Sequence, residues 1–435
     1  VRAGEAGGGR RLSLQESSQP GEEARLIGAL MPRNSTRAEG FCYNVPSMRT
    51  LSVRASSWAN YVLLFASYAI LTPYLQLYLK ARGLPPSRIG LLLGMMELTG
   101  IGGPIILSHL ADRKTAYRSV YFASLLLPVV AFVSLQLVSA LPLYLVCIAI
   151  MGFSYRATVP LLDSLVGRIL HDPARQYGGL RVAGSISFVG VSLFLQVSGV
   201  ISGDSSLSIL AAFGVAAGLA ASAIWLIPAA PAGSAQEVRA DSDDGDGLDA
   251  KFWAVIGVVF LGRFGLGAYY SFFSLYLRDT FGLSSVSVLW AIGSMAEIPL
   301  VIFSGALIGR FGIRVLLIAS LAAVSLRLAL FVLAPSVLVV GFAQLLHAFT
   351  FGTFHTAAVA YVNGRVAPAR RGMGMAIYNS VGGGLPTFLA AVLGGYVLEA
   401  HGYSSLFLLS SIVPLVGVIV LVVFGARILT RPARH

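Results

Sequence analysis

Twelve stretches of about twenty residues, each apolar and nearly free of charge, recur along this chain, and they constrain its fold more than any other feature. A helix rises ~1.5 Å per residue, so ~20 apolar residues cross the ~30 Å hydrocarbon core of a bilayer. The stretches fall at about 58–79, 87–110, 116–138, 143–166, 178–201, 207–227, 252–277, 284–307, 314–334, 337–361, 373–397 and 404–426. Inside hydrocarbon the backbone must satisfy its own hydrogen bonds, which leaves helices or a closed barrel. Runs this long and this uniformly apolar predict helices. Pro73, Pro104, Pro128, Pro160, Pro386 and Pro414 lie inside them, where proline is tolerated as a kink. Charge content agrees. Only 11% of the 435 residues are Asp, Glu, Lys or Arg, against about 25% in soluble domains.

The segments between the spans set the organisation. Residues 1–56 are rich in Gly, Arg and Glu without an apolar period and predict a disordered cytoplasmic tail. Its early arginines precede no apolar run long enough for a secretory signal, and Met31 and Met48 are both candidate translation starts. Residues 228–250 are Pro/Ala-rich and then acidic, which predicts a flexible cytoplasmic linker. That linker divides the spans six and six. The expected units are an N-terminal six-helix bundle at 57–227, a C-terminal one at 251–427, and a cytoplasmic tail at 428–435.

Lys and Arg are distributed unevenly over the loops. One set of loops holds Arg113, Lys114, Arg168, Arg310 and Arg371, among others, and the opposite set only Lys80, Arg82, Arg88 and Arg278. The positive-inside rule then places both termini in the cytoplasm, with the chain in the inner or plasma membrane. The net charge of +12 is therefore topological. Nucleic-acid binding would call for a basic stripe interleaved with aromatics, which the sequence lacks. Cys42 in the tail and Cys147 in an apolar run make neither a disulfide framework nor a metal cluster.

The halves repeat one another. SHLADRKTAYR (108–118) follows the second span, and GALIGRFGIR (305–314) follows the eighth. Each joins an apolar stretch to a tight turn and a basic cluster at the same place in its half. Parallel halves related by an axis along the membrane normal are one of the ways transporters are built. Both segments resemble the loop signature of the major facilitator superfamily, G-x-L-A-D-R/K-x-G-R/K-R/K. The first copy keeps Leu110, Ala111, Asp112, Arg113 and Arg118. Ser108 and Thr115 replace its two glycines, which predicts a looser turn. The second keeps Gly305, Leu307, Gly309, Arg310, Gly312 and Arg314 and lacks the aspartate. PLLDSL (160–165), YGGLRVAGSISFVG (177–190), AYYSFFSLYL (268–277), LWAIGSMAEIP (289–299) and QLLHAFTFGTFH (344–355) are similar to the phenylpropionate-permease-like branch. That branch is related more distantly to lactose and nucleoside proton symporters. The resemblance covers about 57–426. It implies an all-α membrane protein, twelve helices in two six-helix pseudo-symmetric bundles. It also implies proton-coupled uptake of a small organic solute.

Ionisable groups inside the spans cost roughly 2.5–3.5 kcal/mol each on insertion scales, so they mark function. Glu97, Arg156, Arg263, Glu297, Arg327 and His347 fall near the midplane, where transporters of this kind hold solute and coupling ion. A carboxylate stripped of water favours its neutral form, and a nearby arginine favours the charged one. A carboxylate whose arginine moves can therefore take up and release a proton. Glu97 and Glu297 suit that role; the alternative is a permanent ion pair that fixes packing. With Ser108 set against Gly305, Glu297 corresponds to Gly100, one turn from Glu97, at similar depth. Arg156 is free to meet Glu97 or an anionic solute.

His347 is either a proton relay or solute contact, or a core imidazole bonded to Gln344 or a carbonyl. Tyr269 and Phe273, four apart, are expected to face the cavity together. Arg263 is the better anion contact, and Arg327 is expected to pair with a neighbour. The excess of buried Arg over carboxylate suggests an anionic solute. Asp163 and Arg181 form a candidate cytoplasmic gate pair. Asp112, Arg113 and Arg310 are expected to gate through the loop motif, with Asp112 capping a neighbouring helix N-terminus.

Aromatic or other organic acids are the first candidate solutes, then sugars or nucleosides. Proton-driven export of drugs or metabolites is the other transport reading. The proton serves as coupling ion and no cofactor is expected. The sequence holds no Gly-x-Ser-x-Gly, His-Glu-x-x-His or Gly-x-x-x-x-Gly-Lys-Ser/Thr motif, which argues against an enzyme and an ATP-driven pump. A channel would need a pore motif or a ring of like residues. Two halves already enclose a site, so a monomer in the bilayer is the default.

Overall fold

Apolar residues cover these helices on every side, as expected of spans that pack on one another and on lipid. The structure is a computed structural model that describes residues 48–170, 173–201, 205–228 and 247–429. The tail to Ser47, Cys42, most of the 228–250 linker and the last six residues lie outside the described residues. Helices account for nearly all the rest. They are α1 (Met48–Ala81), α2 (Pro86–Lys114), α3 (Tyr117–Leu137), α4 (Leu141–Ile169), α5 (Pro173–Ser198) and α6 (Ser206–Leu226) in the first half. The second half holds α7 (Ala250–Phe281), α8 (Ser287–Ile302), α9 (Ser304–Leu333), α10 (Val337–Arg365) and the long stretch Arg371–Ile428. Gly402, at φ 76°, folds that stretch into α11 (371–401) and α12 (403–428). Ten described helices are long and apolar enough to cross a bilayer; the folded stretch counts twice and the shorter α8 adds one, which gives twelve crossings.

Ends are set by local chemistry. Asp249, Ser205 and Ser336 accept hydrogen bonds from the backbone N–H groups of Phe252, Ser208 and Val339, closing helix starts that would otherwise leave orphan donors. With an even number of crossings, the described chain begins and ends on one side, called here the near side. The turns at 82–85 and 282–286 lie on the far side.

The repeat is visible in the turns. The chain reverses after α2 at Thr115, φ 47°, and reverses within α9 at Gly312, φ 74°. The register that sets Ser108 against Gly305 also sets Thr115 against Gly312. The positions of the two turns match and their backbone conformations do not. Thr115 shares the positive φ of its glycine counterpart but not its ψ: Thr115 is left-handed at ψ 31°, where a β-branched residue is rarely found, and Gly312 is extended at ψ 159°.

The halves meet through matching pairs, α2 with α11 and α5 with α8, and more lightly through α1 with α7. On the far side α2 and α11 nearly touch. A Cβ on Gly90 would lie 2.2 Å from the carbonyl oxygen of Ala391, so only glycine permits this approach. Small residues at such crossings let membrane helices pack backbone to backbone. Hydrogen bonds gather there too. Tyr74 hydroxyl bonds Ser287 Oγ at 2.6 Å, the Ser87 N–H donates to Glu399 at 2.9 Å, and Lys80 pairs with Asp279.

Candidate functional site: a cavity between the halves

Irregular helix turns cluster at mid-depth, where side chains of both halves converge. α4 loosens at Arg156 and Ala157, between Leu141–Tyr155 and Thr158–Ile169. α10 carries a π turn at Ala348–Thr353, and α11 another at Ser380–Gly384. Such bulges recur at functional positions because they re-aim side chains. Around them lies a cavity of about 360 Å³, within the range of small-molecule sites. The far side is sealed above it, so its route to solvent runs toward the near side, where half-exposed Arg181 stands.

The first half supplies an ion pair. Arg156 of α4 donates to Glu97 of α2, and both line the cavity. Gly100, one turn on, lets the arginine lie flat, since a Cβ there would be 2.7 Å from Arg156 Cγ. Tyr68 and Tyr155 stack beside the pair, ring centres 4.4 Å apart. Asp163 stands 4.0 Å from Arg181 and accepts from the Tyr61 hydroxyl at 2.7 Å. That pair joins α4 to α5, both of the first half, and does not bridge the halves. Arg181 also lies over Phe65, 4.5 Å from the ring centre.

The second half repeats the arrangement with different chemistry. Glu297 of α8 faces His347 of α10, 3.6 Å from Oε2 to Nε2. The carboxylate and its nitrogen partner thus come from the second and fourth spans of each half. His347 Nδ1 accepts from Arg327 Nη1 at 2.9 Å. Arg327 is 0% exposed; it also donates to Gln344 and lies 3.8 Å from the centre of the Tyr269 ring. So Arg327 does pair with neighbours, and they are site residues.

Tyr269, Phe273 and Gln344 stand behind the cavity wall. Tyr269 is held by Arg327 and bonds Gln344 at 3.2 Å, while Phe273 stacks on Phe331 with ring centres 5.4 Å apart. One residue on, Tyr270 and Ser271 line the cavity instead. The aromatic pair at spacing four does share a face, as the period requires, but that face is turned into the second half.

Arg263 of α7 reaches the cavity among aromatics. Its guanidinium lies 5.3 Å from the Phe351 ring centre and 3.4 Å from the Tyr378 hydroxyl, which bonds His355 at 2.8 Å. Among the described residues no carboxylate lies within ion-pairing distance of Arg263, and its Nε is buried without a partner.

The loop motif is placed away from the cavity. Asp112 accepts from the Tyr117 hydroxyl and from Arg168 at 2.6 Å. Both donors are side chains, from Tyr117 at the start of α3 and Arg168 of α4, so Asp112 reaches the beginning of α3 through a phenol and not through the backbone N–H groups of a helix cap. Arg113 is exposed, and Arg310 lies over Phe311 at 5.4 Å on the near side. Residues not singled out from sequence also line the cavity, among them Gln76, Trp290, Phe188 and Ser294. None of them is charged, so none carries the insertion cost that marks an ionisable group.

Known proteins share this architecture. A family model described as "MFS_1 like family" matches residues 57–409. The chain is 27% identical over 372 residues to a maltose permease of Geobacillus stearothermophilus, covering 84% of this chain and 93% of that one. It is 28% identical over 358 residues to a probable 3-phenylpropionic acid transporter of Escherichia coli (strain K12), covering 79% and 91%. Among solved structures, the nucleoside transporter NupG superposes with a TM-score of 0.73 at 17% identity, covering 86% of this chain and 99% of that chain.

Proposed function

Because this chain belongs to the MFS_1 like family and is a secondary transporter of the major facilitator fold, we propose that it takes up a small organic acid together with a proton by alternating access. The observation that carries the anionic solute is Arg263. A cation at mid-depth is expensive unless something neutralises it, and this one faces the cavity with aromatic rings and a phenol for neighbours. A solute carboxylate would complete it, and the Phe351 and Tyr270 rings beside it suit an aryl group. A relative named as a probable 3-phenylpropionic acid transporter supports the same class. We assign the proton to Glu297, the cavity carboxylate whose partner is not an arginine.

Loop charges support a cytoplasmic near side. On that reading the sealed end is the outer gate and the cavity opens inward.

A sugar is the second reading. It is favoured by the maltose permease relative and by the Glu97–Arg156 pair beside stacked Tyr68 and Tyr155, which offer hydrogen bonds and a ring face.

The test is solute-induced proton movement in proteoliposomes, followed with a pH dye while 3-phenylpropionate, maltose or uridine is added. Alkalinisation outside on 3-phenylpropionate, lost in Glu297→Gln, is the expected result. Arg263→Gln should weaken that solute by roughly ten- to a hundredfold, the worth of a charge-assisted hydrogen bond of ~1.5–3 kcal/mol. A response to maltose alone would establish the sugar reading. Full coupling in Glu297→Gln would remove Glu297 from the proton path.

A further inference from the structure

We propose that Gln76 of α1 is a removable splint for α7, a positioning residue that holds the far gate shut and connects its opening to the occupant of the cavity. The inference rests on the transporter fold and needs no particular solute.

Gln76 is 1% exposed and sits between the halves. Its Nε2 donates to the carbonyl of Tyr270 at 3.3 Å. Its Oε1 accepts from the backbone N–H groups of Ser274 at 3.1 Å and Leu275 at 3.4 Å. Tyr270 and Ser274 are four apart, so that carbonyl and that N–H are the acceptor and donor of one rung of an α-helix. A side-chain amide from the other half engages both. Side chains that enter the i to i−4 ladder are a recognised cause of helix bending.

The choice of group matters. A peptide-like amide presents one donor edge and one acceptor edge, so it can replace a helix rung on both sides. When the halves part and Gln76 withdraws, Tyr270 and Ser274 can close on each other. No backbone group is stranded in either state, which removes a cost that a buried unpaired donor or acceptor would impose. The released amide meets water entering from the far side. Lys80–Asp279 is different. With side chains 43% and 33% exposed, it is a rim contact of the kind that contributes little.

The splint also touches the site. Gln76, Tyr270 and Trp290 line the cavity, and Trp290 Nε1 donates to Ser274 Oγ at 3.0 Å. An occupant therefore rests against the residues that engage that rung.

The test is a distance measurement across the gate in proteoliposomes. Spin labels are placed at Ala81→Cys and Thr280→Cys, both exposed and on opposite halves, in a Cys42→Ser, Cys147→Ala background. Gly90→Val, which wedges α2 from α11, supplies the open reference. A short distance should dominate with Gln76 present. Gln76→Leu should move the population to the long distance, and Gln76→Glu, which keeps the accepted bonds and loses the donated one, should fall between. A residue that merely stabilised the fold would lower the melting temperature and leave the two populations in place. An unchanged distribution in folded Gln76→Leu overturns the proposal. If that variant does not fold, an unchanged distribution in Gln76→Glu overturns it.

Discussion

Arg327 donates a hydrogen bond to Nδ1 of His347 at 2.9 Å, and that bond fixes which ring nitrogen carries the proton. Arginine has donors only and stays protonated in proteins, so Nδ1 must accept. A neutral imidazole then holds its proton on Nε2, the nitrogen that faces Glu297 at 3.6 Å. Imidazole ¹⁵N shifts of His347 should report the Nε2–H tautomer in the wild type, and Arg327→Gln should release it to a mixture. An Nδ1–H tautomer in the wild type would break the argument, because Arg327 and His347 would then present two donors to each other.

Thr115 predicts a gain from a substitution that gives up only an exposed hydrogen bond, from its hydroxyl to the Lys114 carbonyl at 2.8 Å. At φ 47° it is the only non-glycine among the described residues with positive φ. A left-handed residue with a Cβ costs roughly 1–2 kcal/mol, part of which returns as the entropy that glycine loses on folding. Thr115→Gly should therefore raise stability by about 0.5–1 kcal/mol. Gly312→Ala, at the matching turn, should lower it by roughly 1–3 kcal/mol, because φ 74° with ψ 159° is open essentially to glycine alone. Thermal unfolding in detergent would show both, and a destabilised Thr115→Gly would mean that its side chain does more than occupy a turn.

Charge was the legible signal and orientation was not. Glu97, Arg156, Arg263, Glu297 and His347 announce themselves because an ionisable group in an apolar run is costly, and the structure places all five on one cavity. The turn repeat was legible because a register shared by two loops needs no side-chain geometry. Choosing Tyr269 over Tyr270 failed because neighbours on a helix differ by about 100° in direction, and periodicity cannot say which face meets the other half. The π turn at Ala348–Thr353 shifts the phase of α10 after His347 and leaves no mark in composition. Gln76 was invisible for a simpler reason. A single uncharged amide among apolar residues looks like any tolerated polar residue until its three backbone partners are seen.

Asp249 gives a pH dependence outside the membrane. Partial burial alone would raise its carboxyl, but the bonds from Arg365 and from the Phe252 N–H outweigh that and hold it below the ordinary value of 3.8. A group depressed in the folded state contributes stability above its unfolded pKa and loses it as pH falls through the folded one. Asp249→Ala removes a helix N-cap and should cost about 1 kcal/mol at pH 7. The gap between wild type and variant should shrink below about pH 4. A gap that persists undiminished to pH 2 would show that the carboxylate charge is not its source.

The two carboxylate pairs should part company when each acid is neutralised. Glu97 faces Arg156, which cannot release its proton. Protonating Glu97 would strand that cation at the cavity wall, as Glu97→Gln does, so the pair is expected to stay charged. Solute affinity should fall while the number of protons moved per solute holds. Glu297 faces a neutral imidazole, so it can exchange a proton without leaving an unpaired arginine. Glu297→Gln should keep solute exchange across the membrane and lose accumulation against a gradient. Proton-to-solute stoichiometry, measured for both variants in the same vesicles, separates the roles. A change of stoichiometry in Glu97→Gln, with Glu297→Gln still coupled, would move the proton to the first half.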